Sequence, residues 1–249
     1  MEATIKKIDG YELSTFVKKL LPIDKFIFMK IGKEGTVSSV YFPERDAVKL
    51  VSTPTSDIFD TEITDPVKVS FYNGTKVIDA LSHFNGDVQG KIKYSEIDGE
   101  LMASDFTLAN DDLQINLACA DPSLSFMEMS KEETDRAFGT EGSIFEFDLL
   151  TTHVDKMKSL FNLEREEDTF TLAVNDKGVA VQGLSYDATL AHTYEGEDAV
   201  GQKVVIYKKY INLLDKENYR VVVCSNKVVF RSLDTNTHLT VAVAITDED

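Results

Sequence analysis

The sequence predicts an α+β protein of two similar domains, each a tandem pair of β-α-β-β-β units. Three observations point there. One order of elements, a strand, a short amphipathic helix and three strands, recurs four times in 249 residues. Short echoes tie the second copy to the fourth: Lys68-Val-Ser-Phe-Tyr72 is answered by Lys203-Val-Val-Ile-Tyr207, and Ile78-Asp-Ala-Leu81 by Ile211-Asn-Leu-Leu214. A composition of 43% hydrophobic and 28% charged residues belongs to a globular chain long enough for two cores.

The first copy opens with Thr4–Ile8 and a helix over Leu13–Leu21, stopped by Pro22 because proline disfavours helical geometry in the residue before it. Strands follow at Phe26–Ile31, Thr36–Phe42 and Ala47–Ser52. The second copy reads as Lys68–Tyr72, a helix over Gly74–Asn85, and strands at Gly90–Ile97, Leu101–Leu108 and Leu113–Ala118. In the third, Ser143–Phe147 precedes a helix over Leu149–Leu163 and strands at Thr169–Val174, Val179–Leu184 and Thr189–Tyr194. The fourth runs from Lys203–Tyr207 through a helix over Lys208–Glu217 to Tyr219–Cys224, Lys227–Ser232 and Leu239–Ile245. These units group into an N-terminal domain (1–121), a connector (122–142) and a C-terminal domain (143–249). The connector lacks strand alternation, yet its Leu124, Phe126, Met127 and Met129 are apolar enough to predict packing against a surface.

Each helix carries an apolar stripe at helical spacing, such as Leu150, Val154, Met157 and Phe161. The other face is basic. The four helices hold eight lysines (Lys18, Lys19, Lys76, Lys156, Lys158, Lys208, Lys209, Lys216) and four acids (Asp79, Asp155, Asp215, Glu217), a net +4. The whole chain carries −17, so everything outside the helices carries −21. An evenly spread negative charge would repel nucleic acid, whereas this partition predicts a locally positive surface on an anionic body if the helices share one side of the sheets. Helix lysines also serve solubility and pairing, as Asp155 and Lys158 could at i, i+3.

Other classes find little support. No run approaches the roughly 20 apolar residues of a membrane span, and Met-Glu-Ala-Thr-Ile-Lys-Lys is unlike a signal peptide, so a cytoplasmic protein is expected and Asn73-Gly74-Thr75 is a chance sequon. Cys119 and Cys224 read as buried free thiols, and four scattered histidines offer no metal-ligand spacing. Phosphate-binding and nucleophile motifs are absent. Asp111-Asp112 and Glu166-Glu167-Asp168 read as solvated turns in a chain with 43 acids, so neither catalytic residues, nor a metal, nor a cofactor is expected.

Tandem β-α-β-β-β units with basic helices and an acidic remainder resemble a DNA polymerase sliding clamp, over essentially the whole chain. The segment Ile115-Asn-Leu-Ala-Cys-Ala-Asp-Pro-Ser123 is similar to the corresponding stretch of tailed-bacteriophage trimeric clamps, relatives of proliferating cell nuclear antigen (PCNA), with Ala120–Ser123 the best local match. The resemblance implies a clamp fold with helices on the inner face of the sheets, in a homotrimeric ring of six domains around duplex DNA. It also implies that a DNA polymerase and a clamp loader dock short peptides in an apolar groove, for which Leu124, Phe126 and Met127, with Val243 and Ile245, are the candidates. For Val243 and Ile245 the reading as inward positions of the last strand is the favoured one. Lysine, a hydrated point charge on a flexible stem, suits loose tracking along phosphates, and no arginine occurs in the four helices. The competing reading is an acidic, β-rich viral structural or interaction protein that encircles no DNA.

Overall fold

The computed structural model describes residues 1–42, 44–121 and 129–244. It divides into two compact units, Met1–Pro43 with Lys49–Met129, and Glu44–Val48 with Ser130–Asp249.

In the first unit β1 (Glu2–Ile8) leads into α1 (Gly10–Leu20), then β2 (Ile27–Ile31), β3 (Thr36–Tyr41) and β4 (Ala47–Thr53). A one-turn α2 (Thr55–Ile58) and a three-residue β5 (Phe59–Thr61) follow, where the sequence showed only a long loop; β5 pairs with β1, Ile8 facing Phe59. The second copy supplies β6 (Val67–Phe71), α3 (Gly74–Ser82), β7 (Val88–Ile97), β8 (Glu100–Ala109) and β9 (Gln114–Ala118). The strands lie in the order β4-β3-β2-β6-β8-β7-β1-β5, with β9 on β8. β8 divides its length: its start runs parallel to β6 at Val67 and Lys68, and its end pairs antiparallel with β9. β6 is buried along its whole length although its sequence, Val-Lys-Val-Ser-Phe, alternates apolar and polar residues, and the Lys68 ammonium is paired with Glu100. Phe106 sits at the centre of the core, edge-on to Phe71 at 5.7 Å and near Phe59 at 6.4 Å.

The second unit opens with α4 (Lys131–Phe138), a helix within the stretch expected to be an irregular connector. Its signal is a capping box: Ser130 accepts from the Glu133 N–H while the Glu133 carboxylate accepts from the Ser130 N–H. Then come β10 (Ser143–Leu149), α5 (Thr151–Phe161), β11 (Thr169–Asn175), β12 (Gly178–Gln182), β13 (Asp187–Ala191) and β14 (Lys203–Tyr207). A 3-10 turn (Lys208–Leu213) leads into β15 (Tyr219–Cys224), β16 (Lys227–Ser232) and β17 (Asn236–Ala242). Two sheets result, β10-β15-β16-β17 and β13-β12-β11-β14, linked by a Glu146–Glu195 bridge and by the Ala244 N–H on the Val205 carbonyl.

Two expectations need correcting. The fourth helix is a 3-10 turn ending at Leu213, not an α-helix to Glu217. Its apolar residues stand at Tyr210, Ile211, Leu213 and Leu214, all buried, and the three-residue repeat eclipses Tyr210 with Leu213 and Ile211 with Leu214. The last strand spans Asn236–Ala242 rather than Leu239–Ile245, because its register on β16 runs from His238 opposite Arg231 to Ala242 opposite Lys227.

Candidate nucleic-acid interface

In the first unit, α1 starts on Asp9, whose carboxylate accepts from the Tyr11 and Glu12 N–H groups at 3.0 Å, and buries Leu13, Phe16, Val17 and Leu20. Each such side chain contributes roughly 1.5–3 kcal/mol on burial. Lys18 and Lys19 occupy its last turn, where the helix dipole favours cations. α3 starts on Asn73, whose side chain accepts from Thr75 at 3.0 Å, and packs against α1. Gly74 makes that close start possible: a Cβ there would stand 2.2 Å from Ile27 Cγ1. With Val77, Ala80 and Leu81 buried, Lys76 is left exposed.

In the second unit, α5 buries Val154 and Met157 and lies against the 3-10 turn. Its first turn is closed by His153, whose Nδ1 accepts from the Leu150 N–H at 3.2 Å, while Asn218 Oδ1 accepts from Thr151 at 3.1 Å. Burial, then the charges of Lys156 and His192, holds His153 below the usual histidine range.

The eight lysines all fall on or beside these elements, in unequal states. The ammonium groups of Lys18, Lys76, Lys158 and Lys216 make no hydrogen bond or ion pair among the described residues. Lys216 lies beyond the 3-10 turn rather than in a helix, and Lys19 is half-buried. Lys156 donates to the Thr189 carbonyl at 2.9 Å; Lys208 donates to the Glu164 carbonyl at 2.7 Å and stands 5.4 Å over the Phe161 ring. Lys209 is the exception, paired with Asp46 at 2.9 Å and Glu44 at 3.2 Å.

Of the candidate groove residues, Leu124, Phe126, Met127 and Ile245 lie outside the described residues. Val243 is half-buried just past β17, its N–H on the Asn226 carbonyl at 3.2 Å. Cys119 and Cys224 are free thiols; burial, with the charge of Asp105, pushes Cys119 up to about 12, and burial raises Cys224. The described residues contain no group of three or more acidic, histidine or cysteine side chains placed to hold a metal ion. No helix among them is long and apolar enough to cross a membrane. Asp111-Asp112 stands exposed in a turn closed by Asn110, whose side chain accepts from Asp112 and Leu113.

Paired strand-helix units, with lysine-bearing helical elements packed on their sheets, define the clamp fold. The particular likenesses are to PCNA. A. fulgidus PCNA solved with the C-terminal region of FEN-1 superposes with a TM-score of 0.67 at 11% identity, over 99% of this chain and 100% of the other. PCNA from Entamoeba histolytica gives 0.67 at 14% identity over 98% of each chain. The PCNA2–PCNA3 complex of Sulfolobus tokodaii gives 0.64 at 14% identity over 98% of this chain and 99% of that one. No protein-family model and no curated protein matches the sequence. The fold is therefore that of PCNA along the full chain.

Proposed function

We propose that this protein is a sliding clamp of the tailed-bacteriophage trimeric type: a non-enzymatic processivity factor that encircles duplex DNA as a homotrimer and tethers the replicative polymerase. The observation that carries the reading is a full-length PCNA fold with exposed lysines on the helical elements of both units. Residues 1–121 and 143–249 are then the clamp domains and 122–142 the connector between them. Lysine contacts to phosphate are weak and independent of base sequence, so they permit sliding, while topology prevents escape. The eight lysines divide by availability, with Lys18, Lys76, Lys158 and Lys216 the freest and Lys209 the least free.

Ring closure has a physical basis in two open edges. Among the described residues β9 pairs with no strand but β8, and β13 with none but β12, with Lys156 donating to the Thr189 carbonyl of β13. An open edge invites another strand, and joining two different edges head to tail gives a heterologous contact that can close. Beside β13, the Glu164 carboxylate accepts the Ser185 N–H, which brings the preceding residues Leu163 and Leu184 to one end of the unit, 65% and 84% exposed. Apolar side chains of that exposure fit a subunit contact. The groove of Leu124, Phe126, Met127, Val243 and Ile245 is assigned to peptides of the polymerase and clamp loader; the A. fulgidus PCNA bound to the FEN-1 C-terminal region offers the precedent.

Two measurements test this. Light scattering is expected to give three times the 27.8 kDa chain mass, falling to the monomer with Leu163→Asp and Leu184→Asp. On loaded DNA, the protein is expected to stay on a nicked circle and to leave once the circle is cut. A monomer, or equal retention on circular and linear DNA, would overturn the reading.

A further inference from the structure

The sequence holds two Asn-Gly pairs, Asn73-Gly74 and Asn85-Gly86, which flank α3. In such a pair the glycine nitrogen reaches the asparagine carboxamide with least hindrance, because the glycine has no Cβ and rotates freely. The fold treats the two pairs oppositely.

Asn73-Gly74 is locked. The Gly74 N–H is donated to the Lys25 carbonyl at 2.7 Å, and the Asn73 side-chain oxygen accepts from the Thr75 N–H at 3.0 Å. At ψ 104° the Gly74 nitrogen is turned away from the Asn73 side chain, and Gly74 itself is buried. Bringing the nitrogen and the carboxamide together would break both bonds and uncap α3.

Asn85-Gly86 is open. The bonds that end α3 stop at Phe84, whose N–H is donated to the Leu81 carbonyl at 3.2 Å, and pairing resumes at Val88 opposite Ile8. Asn85 and Gly86 between them are exposed and make no hydrogen bond among the described residues. Gly86 stands at φ +93°, and a Cβ there would meet no heavy atom within 4 Å. The Lys7–Asp87 ion pair beside them, at 3.4 Å, is itself exposed.

We propose that Asn85 is a site of spontaneous covalent modification, converted to aspartate and isoaspartate while Asn73 is spared. The Gly86 nitrogen attacks the Asn85 side-chain carbon. The new N–C bond closes a succinimide as the bond to Nδ2 breaks, and the Gly86 amide proton leaves with that nitrogen as ammonia. Water then opens the ring at one carbonyl or the other, so no reagent but water is consumed. Either product adds a carboxylate just beyond the C-terminal end of α3, where the helix dipole disfavours an anion. The isoaspartate product also inserts a methylene into the backbone three residues before Val88, at the entry to β7. Neither DNA nor ring closure enters the argument.

Trypsin places the two pairs in separate peptides, residues 69–76 and 77–91, so one digest reports both. The full chain is incubated folded at neutral pH, digested briefly under mildly acidic conditions, and the deamidated fraction of each peptide is followed by mass spectrometry. The 77–91 peptide is expected to convert about tenfold or more faster than 69–76, since Asn73 reacts only after local opening. In urea the two rates should converge. Isoaspartyl methyltransferase should label the aged chain, and Asn85→Gln should remove that label. Equal rates in the folded chain, a difference that persists undiminished in urea, or full labelling of Asn85→Gln would each overturn the proposal.

Discussion

Lys209 is bonded to Asp46 at 2.9 Å, joining residues 163 positions apart, and its ammonium stands 5.0 Å over the Tyr210 ring and 5.6 Å over Tyr207. Burial alone would raise the Asp46 carboxyl, but the facing Tyr210 hydroxyl and the Lys209 ammonium outweigh it and hold Asp46 below its ordinary value. A lysine assigned by its position to a DNA-facing helix is here tied into the second unit's own structure.

Lys209→Ala is therefore expected to act on stability first, lowering it by about 1 kcal/mol through the lost pair and ring contacts. Because the folded Asp46 value is depressed, the pair's contribution is present above the unfolded carboxyl value and fades as pH falls through the folded one. Thermal unfolding at pH 7 and pH 3 checks this. The difference between the two proteins should shrink in acid, and a difference that grows would refute the assignment.

The unpartnered lysines should behave oppositely. Lys18→Glu, Lys76→Glu and Lys158→Glu together are expected to leave thermal stability nearly unchanged. On the proposed function, retention on duplex DNA should weaken by about tenfold or more at moderate salt, with a shallower salt slope, since each substitution replaces a positive charge assigned to phosphate by a negative one. Polymerase run length on a primed template gives the functional readout.

Arg220 gathers three carboxylates: Glu195 at 2.7 Å, Glu146 at 3.1 Å and Asp148 at 3.3 Å. Its own ionisation is raised, most strongly by the bond to Glu195. Arg220→Ala leaves three like charges together and should destabilise the second unit by roughly 2 kcal/mol. Added salt should restore part of that loss by screening, as denaturant midpoints at low and high salt would reveal. Restoration by Arg220→Leu at low salt would argue that packing, not charge, matters there.

His153 caps α5 through an unprotonated Nδ1, and its depressed value sets the sign of the pH effect. The unfolded chain takes up a proton near 6.5, before the folded one does, so stability falls as pH drops below that value. His153→Gln can accept the same Leu150 N–H without titrating. Its midpoint should match the unaltered chain at pH 7 and fall less between pH 7 and pH 5; equal slopes would locate the sensitivity elsewhere.

Gly178 closes the β11–β12 hairpin at φ +125°, and a Cβ there would stand 2.1 Å from the Ala191 carbonyl oxygen. Gly178→Ala forces β13 away from β12 and is expected to cost roughly 3 kcal/mol, from the strained backbone and the clash combined. If the β13 edge joins subunits as proposed, Gly178→Ala should also weaken assembly, as light scattering would measure. Hydrogen exchange of the β12 and β13 amides measures the local effect directly.

What the sequence alone determined is the fourfold order of strand, helix and three strands, together with the basic character of the helical elements. Both are carried by short-range information: a two-residue alternation, a stripe at helical spacing, a turn residue between runs. Strands such as β14–β16 were legible to the residue, since every signal lay within six or seven positions. The tertiary structure decided what has its partner far along the chain. Lys209 meets Glu44 and Asp46, Lys156 meets Thr189, and Lys208 meets Glu164, so eight equivalent-looking lysines separate into free, hydrogen-bonded and ion-paired groups. α4 likewise hid inside a polar segment, because its hold comes from Lys227, Arg231 and Thr240, about a hundred residues later. A lysine's charge is a property of its own residue, but its availability to a phosphate depends on which distant oxygen the folded chain places within reach.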